Sequence, residues 1–156
     1  MADKAFDVEQ TIREYVPQVI HLSLATCTDN KPWVCEVHYA YDNDLNLYFV
    51  SGVNRRHSEE IRKNPHVSGN IVTQHFLNQK VRGVYFEGGA KQLEDIDEMQ
   101  HAYETYTKRY AASPQLAQVA KAEGGARFYK ITVSDYYVLD GYVSDPPQKF
   151  HLLWKS

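Results

Sequence analysis

The sequence predicts a mainly β protein with peripheral helices, built on six antiparallel strands that close, or partly close, into a barrel. Three observations predict it. Short apolar or alternating runs recur, each bounded by turn residues. Successive runs are joined by tight turns rather than crossover helices, which favours antiparallel pairing. Few helices accompany them, so a barrel suits the order of elements better than a doubly wound sheet.

The elements follow in order. Val8, Ile12 and Tyr15 have helical spacing, with Asp7 as N-cap and Pro17 ending the helix. Val19 to Thr26 reads as a strand, and Asp29-Asn30-Lys31-Pro32 turns the chain back. Trp33 to Tyr41 is the second strand, Asp42-Asn43-Asp44 the next turn, and Leu45 to Ser51 the third strand. Asn54 is a possible cap for a short helix over Arg56 to Lys63. Asn64-Pro65 stops it, because a residue before proline avoids the helical region. Val67 to Thr73 and Val81 to Lys91 are the fourth and fifth strands. Ile96, Met99, Tyr103, Tyr106 and Tyr110 step by three or four, marking an amphipathic helix. Ser113-Pro114 opens a further short helix that Gly124-Gly125 ends. Arg127 to Leu139 is the sixth strand, followed by a turn-rich tail with aromatic residues.

A chain of 156 residues suits one domain, taken here as 1–156, with a real core. The 43% apolar share excludes a disordered chain, and the 12 tyrosines favour sheet and half-wet interfaces. The formal charge of −3 gives no global pull toward nucleic acid or an anionic membrane, so any phosphate recognition must be local. The amino terminus lacks a signal-peptide pattern and no apolar run is long enough to span a bilayer. A cytoplasmic location is expected. Cys27 and Cys35 are too few for a disulfide scaffold or a four-cysteine zinc site. They read as reduced thiols near a hairpin, with a redox-sensitive pair as the alternative.

The segment from Leu47 to Pro65 is the most informative. A strand ends at Ser51, and Gly-Val-Asn-Arg-Arg-His leads into a helix. Free N–H groups at a helix start attract anions. Arg55 and Arg56 oppose the helix dipole there, a cost more readily tolerated when an anion binds. Arginine's forked donors also match phosphate. Two readings stand: a phosphate-binding turn made by Ser51, Arg56 and His57, or a solvated basic loop.

In the second strand, alternation puts Trp33, Cys35, Val37, Tyr39 and Tyr41 on a core face. Val34, Glu36, His38 and Ala40 form the other face, which is either a ligand wall or an ordinary solvent face. Glu36 and His38 alone do not make a metal site. In the fifth strand, Gly83 would admit a flat ring with Arg82 at its polar edge, or else mark a bulge beside a surface arginine. Dinucleotide, Walker and nucleophile-elbow motifs are absent from the sequence. If the protein is an enzyme, an organic cofactor would carry the chemistry.

The stretch LSLATCTDNKPWVCEVHYAYDNDLNLYFVSGVNRRHSEEIRKNPHVSGNIV resembles the pyridoxamine 5'-phosphate oxidase-like, FMN-binding split-barrel family. The pieces RRH, VRGVYFEGGAKQLE and KFHLLW are closer to a subgroup of short split-barrel proteins. The specificity lies in their order and spacing, over residues 8 to 93. The resemblance implies a six-stranded split β-barrel of the FMN-binding type. It also implies a homodimer with FMN at the subunit interface, between residues of both chains. It places the FMN phosphate at the turn after the third strand, on Ser51, Arg56 and His57 with Val50 and Arg55 beside them. The family usually carries Arg-Lys at this helix start, where this chain has Arg56-His57. The resemblance also puts Glu36, Val37 and His38 along the flavin ring, with Arg82 and Gly83 adding polar contacts. Lys149 and Trp154 would approach from the partner. True pyridoxamine phosphate oxidases end in an Arg-x-His substrate motif that QKFHLLW does not supply, so their substrate is not carried over.

The expected function is an FMN-dependent oxidoreductase with no assigned substrate or catalytic base. The alternatives are a non-catalytic, stress-related flavin carrier and a haem-binding split barrel. FAD or a deazaflavin in place of FMN stays open.

Overall fold

The computed structural model describes residues 6–113 and 125–154. The chain runs α1 (Val8–Tyr15), β1 (His21–Thr28), β2 (Lys31–Tyr41), β3 (Leu47–Gly52), α2 (Arg56–Lys63), β4 (His66–Ile71), β5 (Arg82–Gln92), α3 (Ile96–Arg109), β6 (Ala126–Asp140) and β7 (Gln148–Leu153). The expected helix between Ser113 and Gly125 falls almost wholly outside the described residues. Pro17 does not stop the first helix outright, because Val16–Gln18 adds a 3-10 turn that accepts proline in its first positions.

Six strands form a ring in the order β3-β2-β1-β4-β5-β6, closed by a β3–β6 pairing. All neighbours are antiparallel. The expected barrel is present. The tail read as turns adds β7, a seventh strand paired to the far half of β6 from Asp135 to Asp140. The near half of β6, Ala126 to Ile131, closes the ring against β3. One long strand therefore serves two neighbours on the same edge.

The core fills from alternate positions of the strands. Leu22 and Leu24, Tyr39, Phe49, Val84 and Phe86, and Ile131 and Val133 all point inward. The alternation of β6 then slips. Gly88 opposes Val133 while Glu87 opposes Asp135, so Ser134 is an extra residue, and Tyr136 and Val138 resume the inward row. Gly88 is required at this bulge, since a Cβ there would collide with the Thr132 carbonyl oxygen. The buried phenols keep partners: Tyr39 donates to the Val16 carbonyl at 2.9 Å and Tyr136 to that of Leu45 at 2.8 Å.

Two helices position the site. α3 lies outside the ring and packs Ala102, Tyr106 and Tyr110 against Ala40, Tyr48 and Phe128. That contact buries Ala40, which alternation had placed on a ligand or solvent face. α2 has only eight residues and is too short to be stable alone. Ile61 anchors it in the main core, where full burial is worth about 1.5–3 kcal/mol.

Candidate functional site

β2 and β3 pair over three positions only, Tyr39↔Phe49, Ala40↔Tyr48 and Tyr41↔Leu47. Before Tyr39, β2 continues to Lys31 paired with β1 alone, and after Phe49, β3 continues to Gly52 paired with β6 alone. The barrel is thereby split between Lys31–His38 and Val50–Gly52. Among the described residues no other strand covers these edges, so alternate backbone groups are left for another partner.

The first turn of α2 sits in this opening. Ser51 Oγ lies 2.7 Å from His57 Nε2, and His57 Nδ1 lies 3.3 Å from Cys35 Sγ. Side chains from β3, α2 and β2 thus form one chain across the split. His57 is only 8% exposed. Burial and then the Arg55 charge lower its pKa from the usual 6.5, with Glu60 opposing, so the ring is neutral at neutral pH. Burial, aided by Glu60, raises the Cys35 thiol, which therefore keeps its proton.

Arg55 is the N-cap of α2 and its side chain makes no capping bond. The first N–H groups of the helix thus lack a side-chain acceptor and retain their pull on anions. Arg56 donates from Nε to Glu60 Oε1 at 2.8 Å and stacks its guanidinium 4.4 Å above the Trp33 ring. Trp33 was expected in the core. It is 40% exposed, because the β1–β2 hairpin runs past the end of the barrel and Arg56 covers the ring instead.

The Thr26 hydroxyl, and then Arg56, hold the buried Glu60 carboxyl below its ordinary 4.5 against the opposing effect of burial. A carboxyl lowered on folding contributes stability that is complete above its unfolded pKa and lost as pH falls through the folded one. Urea midpoints of the wild type and Glu60→Gln are therefore expected to converge as pH drops from about 6 to about 3. A gap that stays constant over that range would contradict this role.

The other predicted residues are dispersed. Glu36 and His38 point outward and are exposed, with Glu36 Oε1 3.9 Å from His21 Nε2. Val37 turns its side chain into the core, so only its backbone borders the split. Val50 packs toward the α3 cluster. Arg82 donates from Nε to Asp140 Oδ2 at 2.7 Å and stacks on Tyr142. The space over Gly83 is taken by Val72, whose Cγ2 would be 2.9 Å from an added Cβ. Trp154 docks on its own chain, donating to the Asp44 carbonyl at 2.8 Å and meeting Tyr136 edge-on. Lys149 lines an outward groove of about 370 Å³ with Ser23, Ala25, Ser68, Asn70 and Tyr85, its amine 5.0 Å from the Tyr85 ring centroid.

Sequence reading missed the part played by Cys35. Its only signal was a place on the same strand face as Val37 and Tyr39. Both cysteines are free thiols. Leu24 opposes Cys35 while Pro32 opposes Cys27, so the two are not cross-strand neighbours. Among the described residues no group of three His, Cys, Asp or Glu side chains could hold a metal, and no helix is long and apolar enough to cross a membrane.

An antiparallel ring opened between two strands, with a basic helix start in the opening, defines a split barrel. The chain belongs to the pyridoxamine 5'-phosphate oxidase family, whose model matches residues 8–140. It is similar to a UPF0306 protein of Photorhabdus laumondii, 28% identical over 106 residues, 67% of this chain and 73% of that one. Its fold resembles a heme binding protein from Mycobacterium smegmatis, with a TM-score of 0.76 and 17% identity over 95% of this chain and 58% of that one. It also resembles a FAD-binding protein from Mesorhizobium loti, with a TM-score of 0.63 and 20% identity over 85% of this chain and 92% of that one.

Proposed function

We propose that the protein is an FMN-binding flavoprotein, acting as an oxidoreductase, that holds its cofactor in the split between β2 and β3. One observation carries the reading. The opening presents, side by side, an uncapped helix start, two arginines, a serine hydroxyl and an unpaired strand edge. These are the donors that a phosphate and the polar rim of a flat heterocycle require. Ser51, Arg55 and Arg56 would hold the phosphate. His57 would orient Ser51. The backbone around Glu36, Val37 and His38 would face the ring. FMN would supply hydride or electron transfer at its N5.

A homodimer completes this arrangement. The outward groove that includes Lys149 lies on the sheet face that also exposes Val34 to 60%, a surface suited to a second copy. Haem is the alternative; its axial ligand would have to be a histidine other than His57, both of whose nitrogens are already engaged within the chain.

The test is the visible spectrum of freshly purified protein, with mass spectrometry of what it releases on denaturation and a fluorescence titration with FMN. A flavin spectrum, release of FMN and quenching at one FMN per protomer are expected, with a dimer by light scattering. A colourless protein that leaves added FMN fluorescence unchanged would remove the proposal, and a Soret band on haem addition would favour the alternative. NADH or NADPH oxidation by the loaded protein then distinguishes an oxidoreductase from a carrier.

A further inference from the structure

The Cys35–His57–Ser51 contacts across the split can run in either direction. A neutral imidazole carries one N–H, and which nitrogen bears it follows from the bond made by the other. Two arrangements satisfy the observed contacts of 3.3 Å at Nδ1 and 2.7 Å at Nε2. In one, Nδ1–H points at sulfur and the Ser51 hydroxyl donates to Nε2. That arrangement spends an N–H on a weak acceptor and uses up the serine hydrogen inside the protein. In the other, the protonated Cys35 thiol donates to Nδ1 and Nε2–H donates to Ser51 Oγ. The imidazole lone pair and the serine oxygen are then both satisfied, and the serine hydrogen is free. Only the second arrangement leaves Ser51 as a donor toward an anion.

We propose that Cys35 is a positioning residue: its S–H fixes His57 as the Nε2–H tautomer, which turns the Ser51 hydroxyl hydrogen into the split as a phosphate donor. The surroundings support this polarity. The charged groups acting on the imidazole are Arg55, which disfavours a second proton on the ring, and Glu60, which opposes it but also keeps the thiol protonated. The Phe49 ring lies 6.2 Å from the imidazole centroid and offers no competing acceptor. The histidine that follows Arg56 then has a role beside the two arginines: through it the chain supplies a neutral hydroxyl donor whose orientation is built in from behind.

The tautomer half of the inference does not depend on the flavin reading, whereas the phosphate half rests on it. Long-range proton–nitrogen correlation NMR on the 15N-labelled full chain at neutral pH, with no FMN added, reads the tautomer directly, His57→Gln giving the assignment. A protonated Nε2 and an unprotonated Nδ1 are expected. A protonated Nδ1, or a doubly protonated ring, would overturn the proposal.

Titration with FMN tests the consequence. Cys35→Val, which has no donor, is expected to raise the FMN dissociation constant about three- to tenfold, the range for one modest hydrogen bond. Cys35→Ser, which keeps a donor, should restore binding to within about twofold of wild type by the same reasoning. In a Ser51→Ala background the valine substitution should have no further effect. Equal affinities for the valine, serine and wild-type forms would overturn the phosphate half. If wild type itself ignores FMN, the flavin reading fails, while the NMR result still decides the tautomer.

Discussion

Replacing Asp140 with alanine is expected to destabilise the protein by about 3 kcal/mol, near the lower end for breaking a buried ion pair. Asp140 is fully buried at the end of β6. Its carboxylate accepts from Arg82 Nε at 2.7 Å and from the backbone N–H groups of Tyr142 at 2.7 Å and Val143 at 3.3 Å. Alanine removes all three hydrogen bonds at once. The Arg82 side chain is 32% exposed, so water partly solvates the stranded cation, which keeps the expected loss from the upper end. Asparagine keeps one oxygen for the turn and should cost about half as much. Urea denaturation of the three proteins measures both losses, and an alanine variant within about 1 kcal/mol of wild type would show that the pair contributes little net. The same contacts join the start of β5 to the turn before β7, and β7 carries Lys149 opposite Leu139. Arg82 thus supports the wall of the outward groove through Asp140.

How much of this was legible depends on what a single strand reveals. β1 to β6 each show apolar alternation, or a short apolar run, between turn residues, and the ring contains all six. β7 escaped because it lies on the outside of the ring. Gln148, Lys149, His151 and Leu153 are exposed and only Phe150 and Leu152 form a half-buried face, so two apolar positions after a turn-rich stretch carried too little alternation to read. Trp33 and Ala40 were misplaced for a related reason. Alternation gives the side of the sheet, but not where the barrel ends or which face a helix later covers. The basic turn at Arg55-Arg56 was legible from residue types alone. The split was not, because it depends on where β2 stops pairing with β3, a relation between strands that neither sequence segment contains. The inward turn of His57 onto Ser51 and Cys35 was hidden likewise, since its partners lie on two different strands.

Arg56→Ala is expected to weaken FMN binding by about tenfold to a hundredfold, because one charge-assisted phosphate contact contributes about 1.5–3 kcal/mol. Two opposing effects act on the variant before any ligand is added. Removing a cation from the first turn of α2 relieves its clash with the helix dipole, a gain of about 0.3–1 kcal/mol. Removing the partner of Glu60 leaves that buried carboxylate with the Thr26 hydroxyl but without the arginine, and uncovers Trp33. Without FMN the lost pair outweighs that gain, so the variant should melt below wild type. With FMN the difference must grow, because ligand stabilisation grows with the logarithm of concentration over dissociation constant. The gap between the two proteins in melting temperature should therefore widen as FMN is added. Arg56→Lys keeps the charge but not the forked donors and should fall between the two. A gap that is already large without FMN and does not change on adding it would make Arg56 a structural residue and move the phosphate elsewhere.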